Sequence, residues 1–198
     1  MSSRTSKNIR TITYLAMLTA IVIVLQLAGS FIKLGMFSVS LVLMPIVVGA
    51  AIGGPRFGAW LGGVFGLAVL FSGDAAAFLT IDPFGTVVTV MVKGVLAGLV
   101  AGFVFDAIAK KADKGNLFAA IVAAISCPIV NTGIFLVGCL LFFMPTIEEW
   151  AAGLGYANAG QYMILGLVGG NFIFELVINM VLVPAIVALV KLVPDLKK

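Results

Sequence analysis

The chain has 198 residues, of which 62% are hydrophobic and 10% charged, with 23 Gly and a formal net charge of +4. Soluble domains run near roughly 45–50% apolar and about 25% charged, so a water-soluble enzyme or nucleic-acid-binding module is excluded and a polytopic membrane protein is indicated. A bilayer-crossing helix takes roughly 20 apolar residues, so six spans account for about 120 residues and leave no room for a separate soluble domain.

In chain order, the six apolar stretches are Thr11–Ser30, Val39–Gly53, Phe57–Ser72, Gly85–Ala107, Leu117–Met144 and Tyr162–Leu192. The first lacks a small-residue cleavage site followed by a mature domain, and is read as a retained span and not a signal peptide. The second and third are short and are parted only by Gly54, Pro55 and Arg56, a tight-turn signal. The expected fold class is an all-α integral membrane protein, a single domain over residues 1–198 built as a six-helix bundle.

Charge placement orients the spans. With the N-terminus cytoplasmic, the inner side holds Arg4, Lys7, Arg10, Arg56, Lys110, Lys111, Lys114, Lys191, Lys197 and Lys198, while the outer side holds Lys33 as its one basic residue beside Asp74, Asp82, Glu148 and Glu149. This positive-inside bias puts both termini in the cytoplasm and accounts for the net charge without a nucleic-acid partner. Three external connections follow: Phe31–Ser38, Gly73–Phe84 and Pro145–Gln161. The last two carry Phe78, Phe84, Trp150 and Tyr156, which read either as interfacial anchors or as parts of lids over an outward-facing pocket, the longest loop being the strongest lid candidate.

The chemistry is narrowed by what is missing. The chain has no His, so histidine-dependent zinc sites and Ser-His hydrolysis are out of reach. It has no G-x-x-x-x-G-K-[ST] sequence for binding ATP through a P-loop. Cys127 and Cys139 lie in one apolar stretch and read as buried thiols, not a disulfide or metal pair. Neither a cofactor nor a metal is expected.

Small residues mark helix contacts. Gly58, Gly62 and Gly66 in the third span, and Gly94, Gly98 and Gly102 in the fourth, recur every four residues and let backbones approach closely. They read first as packing of these two spans on each other and second as a docking face for another subunit. Ala16 and Ala20, an A-x-x-x-A near the cytoplasmic end of the first span, form a flat face on which an energised partner can dock.

Lys93 and Glu175 are the ionisable residues well inside the spans. Each costs on the order of 2.5–3.5 kcal/mol at a helix centre, so each is expected to face the bundle interior or a wet cavity. On a rise of 1.5 Å per residue, Lys93 lies about 12 Å below the outer end of its span, and Asn131 and Glu175 about 20 Å below theirs. Asn171 is one turn above Glu175 on the same face. These four, with Gln26 at the outer end of the first span, are candidates to line one cavity. In one reading Lys93 and Glu175 neutralise each other and the Asn side chains bond neighbouring helices. In the other, Lys93 meets an anionic or carbonyl group of a ligand while Asn131, Asn171 and Glu175 supply hydrogen bonds. Trp150, Tyr156 and Tyr162 are candidates to stack on a ligand ring.

Taken together, these residues resemble the substrate-binding membrane subunit (S component) of energy-coupling-factor (ECF) vitamin importers. The likeness rests on size, six spans, a basic N-terminal segment, Ala16-x-x-x-Ala20, and the turn Gly53-Gly54-Pro55-Arg56-Phe57-Gly58. Lys93-Gly94, Asn131-Thr132 and Asn171-x-x-x-Glu175 are similar to the pantothenate/folate-type branch. The resemblance implies a subunit of a bacterial cell membrane, with no ATPase site of its own and no enzyme activity. Such a subunit captures a small water-soluble vitamin from outside and docks through Ala16 and Ala20 on a membrane coupling subunit (T component) carrying two cytoplasmic ATPases. By this likeness the expected ligand is pantothenate, then folate, a corrinoid or another micronutrient, with Lys93, Asn131, Asn171, Glu175, Gln26 and Trp150 at the site. The rival readings are a self-sufficient secondary transporter of a small organic anion, an intramembrane lipid-modifying enzyme, and a purely structural membrane subunit.

Overall fold

The structure, a computed structural model, describes residues 2–31, 33–34, 37–38, 40–109 and 117–192. Helix α1 spans Ser2–Gly29 and is followed by a two-stranded antiparallel ladder, Lys33–Leu34 (β1) with Phe37–Ser38 (β2), in which Lys33 pairs with Ser38 and Leu34 with Phe37. The rest is helical: α2 (Leu43–Gly53), α3 (Pro55–Ser72), α4 (Ala76–Ile81), α5 (Pro83–Ala109), α6 (Leu117–Phe142), α7 (Met144–Gly153), α8 (Ala159–Gln161), a π-helical stretch over Tyr162–Gly169, α9 (Gly170–Val181) and α10 (Val183–Leu192).

Among the described residues, five stretches are long and apolar enough to cross a bilayer: Ile9–Gly29, Pro55–Ser72, Pro83–Ala109, Leu117–Phe142 and Ala159–Val181. The expected second span holds only α2, which at 11 residues rises about 16 Å, short of the roughly 30 Å of hydrocarbon. Leu43 and Pro45 through Ile52 are all buried, the signature of a helix that is apolar on every side because protein surrounds it.

Local chemistry explains most of the boundaries. Gly54 turns the chain at φ 84°, ψ −172°, a conformation open essentially to glycine alone, and Pro55 then starts α3 where its missing N–H costs nothing. Gly73 ends α3 in the left-handed region at φ 87°. Asp82 opens α5: its Oδ1 accepts from the Gly85 N–H at 3.0 Å, with Pro83 at the first helical position. Asn158 caps the turn at α8, accepting from the Gln161 N–H at 2.8 Å.

The last expected span, Tyr162–Leu192, is not one helix. It begins π-helical and breaks at Leu182, because Pro184 supplies no amide hydrogen and is tolerated only within the first turn of a new helix. The Gly73–Phe84 and Pro145–Gln161 connections, expected as loops, contain α4, α7 and α8. Among the basic residues of the charge count, Arg10, Arg56 and Lys191 are exposed. The side chains of Arg4, Lys7, Lys33, Lys110, Lys111, Lys114, Lys197 and Lys198 lie outside the described residues.

The third and fourth expected spans pack as the glycines foretell. A Cβ at Gly58 would fall on the Gly98 carbonyl, and one at Gly62 on the Gly94 carbonyl, so α3 and α5 touch main chain to main chain. Two apolar clusters result. One joins α2, α3, α5, α6 and α10 around Ile46, Leu61, Phe65, Ala97 and Ile186. The other gathers Phe78, Phe135, Phe143, Ile147, Tyr162 and Leu167 from α4, α6, α7 and the π-helical stretch. Cys127 falls in the first cluster and Cys139 in the second; both are free thiols.

Candidate functional site

A cavity of about 70 Å³ lies at the seam between the two clusters. Helix α5 contributes Thr86, Thr89, Val90 and Lys93, which share a face because residues three and four apart stack along a helix. Helix α6 adds Asn131, Thr132 and Phe135 from a single turn, beginning three residues after Pro128. Asn171 and Glu175 arrive one turn apart from α9, above which stand Leu167 and Val168 of the π-helical stretch. Phe65 and Val69 of α3, Asp74 and Ala75 of the α3–α4 turn, Phe78 of α4, Ser40, Phe143 and Gln26 of α1 complete the wall.

Five of the candidate ligand residues therefore line one cavity: Gln26, Lys93, Asn131, Asn171 and Glu175. Trp150 does not. Its ring meets Phe78 edge-on at 5.7 Å and 79°, so it stands against a wall residue and is not itself part of the lining. Tyr156 and Tyr162 pair with each other at 5.2 Å over Gly166, where a Cβ would strike the Tyr162 ring and the Tyr156 hydroxyl. Ala16 and Ala20 are exposed on α1, in one stripe with Ile12 and Val24.

The charged groups are arranged asymmetrically. Lys93 Nζ sits 5.7 Å from the centre of the Phe65 ring and 5.3 Å from that of Phe135, a cation–π geometry. Among the described residues Lys93 and Glu175 form no direct ion pair, although Glu175 is the acid whose charge acts on Lys93 most strongly, ahead of Asp74. The Glu175 carboxylate has Ser40 and Asn131 as hydrogen-bonding neighbours, while its Oε2 has no partner among the described residues. Gln26 Nε2 donates to Asp74 Oδ2 at 2.5 Å and to Ser72 Oγ at 3.4 Å, and Ser72 Oγ donates to the same carboxylate oxygen at 3.2 Å. This cluster ties α1 to the α3–α4 turn at the cavity's edge.

Sequence reasoning named Phe78 as part of a lid over a pocket but missed Asp74, Thr86, Thr89, Phe65, Phe135 and Phe143 as parts of the lining. The 86-89-93 spacing was available as a signal for the two threonines. Asp74 reads as a loop charge until the turn folds it against Gln26.

An apolar bundle enclosing one polar, mixed-charge cavity suits a protein that carries or presents a small molecule. The sequence profile of the family described as ECF transporter, substrate-specific component, matches residues 10–187. The chain belongs to this family. No curated protein and no solved structure matches it. As an ECF S component it is a substrate-specific transporter subunit and a multi-pass membrane protein. Membership implies association with transmembrane coupling and ATPase modules and with a small-molecule ligand.

Proposed function

We propose that this S component captures a small water-soluble vitamin or related micronutrient from outside a bacterial cell and hands it to a coupling subunit driven by two cytoplasmic ATPases. The observation that carries this reading is the cavity itself: Lys93, Asn131, Asn171 and Glu175 converge from three helices on a space that bundle packing alone does not require. Intramembrane ionisable groups are expensive and face functional cavities by default. In this reading six segments span the bilayer, α2 completing the second with the residues before it, and both termini are cytoplasmic. Ala16 and Ala20 form the docking face. Lys93 takes the ligand's carboxylate or a carbonyl, which keeps pantothenate first, ahead of folate and a corrinoid. Pockets that hold drug-sized ligands measure roughly 300–1,000 Å³, so admitting a vitamin requires the cavity to widen.

The test is a thermal-shift screen of the purified, detergent-solubilised chain against water-soluble vitamins. A ligand that binds only the folded state stabilises it by about 2.7 kcal/mol at 100 times its Kd. The expected result is one saturable hit, and uptake in reconstituted vesicles that stops when the ATPases are omitted. Uptake that continues without them would establish a secondary transporter instead.

A further inference from the structure

Three cavity side chains that are more than nine-tenths buried carry polar atoms with no hydrogen-bond partner among the described residues: Thr89 Oγ1, Asn131 Oδ1 and Glu175 Oε2. Their residues are 4%, 5% and 4% exposed respectively, and all three line the cavity. They come from three helices, α5, α6 and α9. The amide oxygen of Asn131 and an ionised Glu175 oxygen only accept hydrogen bonds, and the Thr89 hydroxyl can accept as well as donate. Buried acceptors left unpaired are costly, and most costly where charge is involved. A hydrocarbon ligand filling this space would leave that cost in place, whereas hydroxyl or N–H hydrogens would remove it.

Lys93 has the opposite demand. It lies one turn from Thr89 on α5, its ammonium can only donate, and it rests on the rings of Phe65 and Phe135. The cavity thus combines one donor cation with a set of spare acceptors. We infer that the ligand is a carboxylic acid that also carries hydrogen-bond donors, its carboxylate meeting Lys93 and its hydroxyl or N–H groups meeting Thr89, Asn131 and Glu175. Acids without such donors are rejected because they leave the three acceptors unpaired, the strongest form of discrimination a buried polar site has. This inference rests on the cavity being the ligand site, as proposed above.

Calorimetric titration of the purified full chain tests it with three sets of vitamins. The first set is acids with donors (pantothenate, folate, biotin), the second is acids without them (nicotinate, lipoate), and the third lacks a carboxylate (thiamin, riboflavin, pyridoxine). The tightest binder is expected in the first set, ahead of the second by at least about tenfold. Thr89→Val and Glu175→Gln are each expected to weaken that binder about tenfold. Ligand-free thermal midpoints establish that the variants fold, and if Glu175→Gln does not, Thr89→Val decides. Tightest binding in the second or third set, or a first-set affinity that no folded variant changes, overturns the inference while leaving the cavity a ligand site. Failure of every compound to bind overturns the ligand reading of the cavity, and the inference with it.

Discussion

Lys93 keeps an ammonium among phenyl rings, where the aromatic faces return about 0.5–2 kcal/mol of what burial removes. A carboxylate would return more, and none is in direct contact with it among the described residues, which is why a ligand acid is the natural partner. Lys93→Ala is expected to weaken a carboxylate ligand about 10–100-fold, and the corresponding neutral amide by less than about threefold, as measured by calorimetry. Equal losses for the two would mean that the ammonium does not sense the ligand's charge. Lys93, Glu175, Asn131 and Asn171 were legible in the sequence because polar groups in apolar runs demand an explanation. Phe65, Phe135 and Phe143 were not, since Phe serves equally well against lipid, in a core or on a cavity wall, and the chain has 15 of them. Trp150 is ambiguous for the same reason: its ring suits stacking on a ligand and packing on Phe78 alike, and the structure places it against Phe78.

At the level of elements, the glycine periodicity was the most reliable signal, because a four-residue repeat of hydrogen atoms has few uses other than close helix contact. Neighbouring glycines of α3 differ sharply in this respect. A Cβ at Gly62 would collide with the Gly94 carbonyl, whereas one at Gly63 would meet only Val95 Cγ2 at an ordinary 3.5 Å. Gly62→Ala is expected to destabilise by about 1–3 kcal/mol through overpacking. Gly63→Ala is expected to stabilise by about 0.5–1 kcal/mol through the helix preference of Ala. Thermal midpoints of the two variants that moved in the same direction would contradict this contact. The break at Leu182 was also readable from Pro184, but the long apolar run from Tyr162 concealed it. Hydropathy sees no difference between one helix and three consecutive ones, and so the π-helical start was equally hidden. The capping helices α4 and α7 were read as loops because Gly, Pro and Asp around them signal turns at their ends and say little about the short stretch between.

For the molecule as a whole, α1 links two surfaces. Its exposed stripe holds Ala16 and Ala20, Thr19 accepts a hydrogen bond from Trp60 Nε1 at 3.1 Å, and Gln26 reaches Asp74 at the cavity's edge. Ala16→Trp and Ala20→Trp are expected to abolish co-purification with the coupling subunit while leaving ligand affinity within about twofold. Loss of both properties together would point to misfolding and remove the docking assignment. The six-span count came from composition, and the described residues supply five long apolar stretches, because a helix wrapped by protein, such as α2, does not need the length that lipid imposes.

The main-chain contact between α3 and α5 also bears on how such a chain changes over generations. Phe65 follows Gly62 by less than a turn and Lys93 precedes Gly94, so the cation and one of its rings are held by glycines that accept no replacement. Phe78, Asn131 and Asn171 reach the cavity from α4, α6 and α9, outside the glycine contact of α3 with α5. Drift in ligand preference is therefore channelled to one half of the wall, and descendants that bind different nutrients can diverge there while inheriting the other half unaltered.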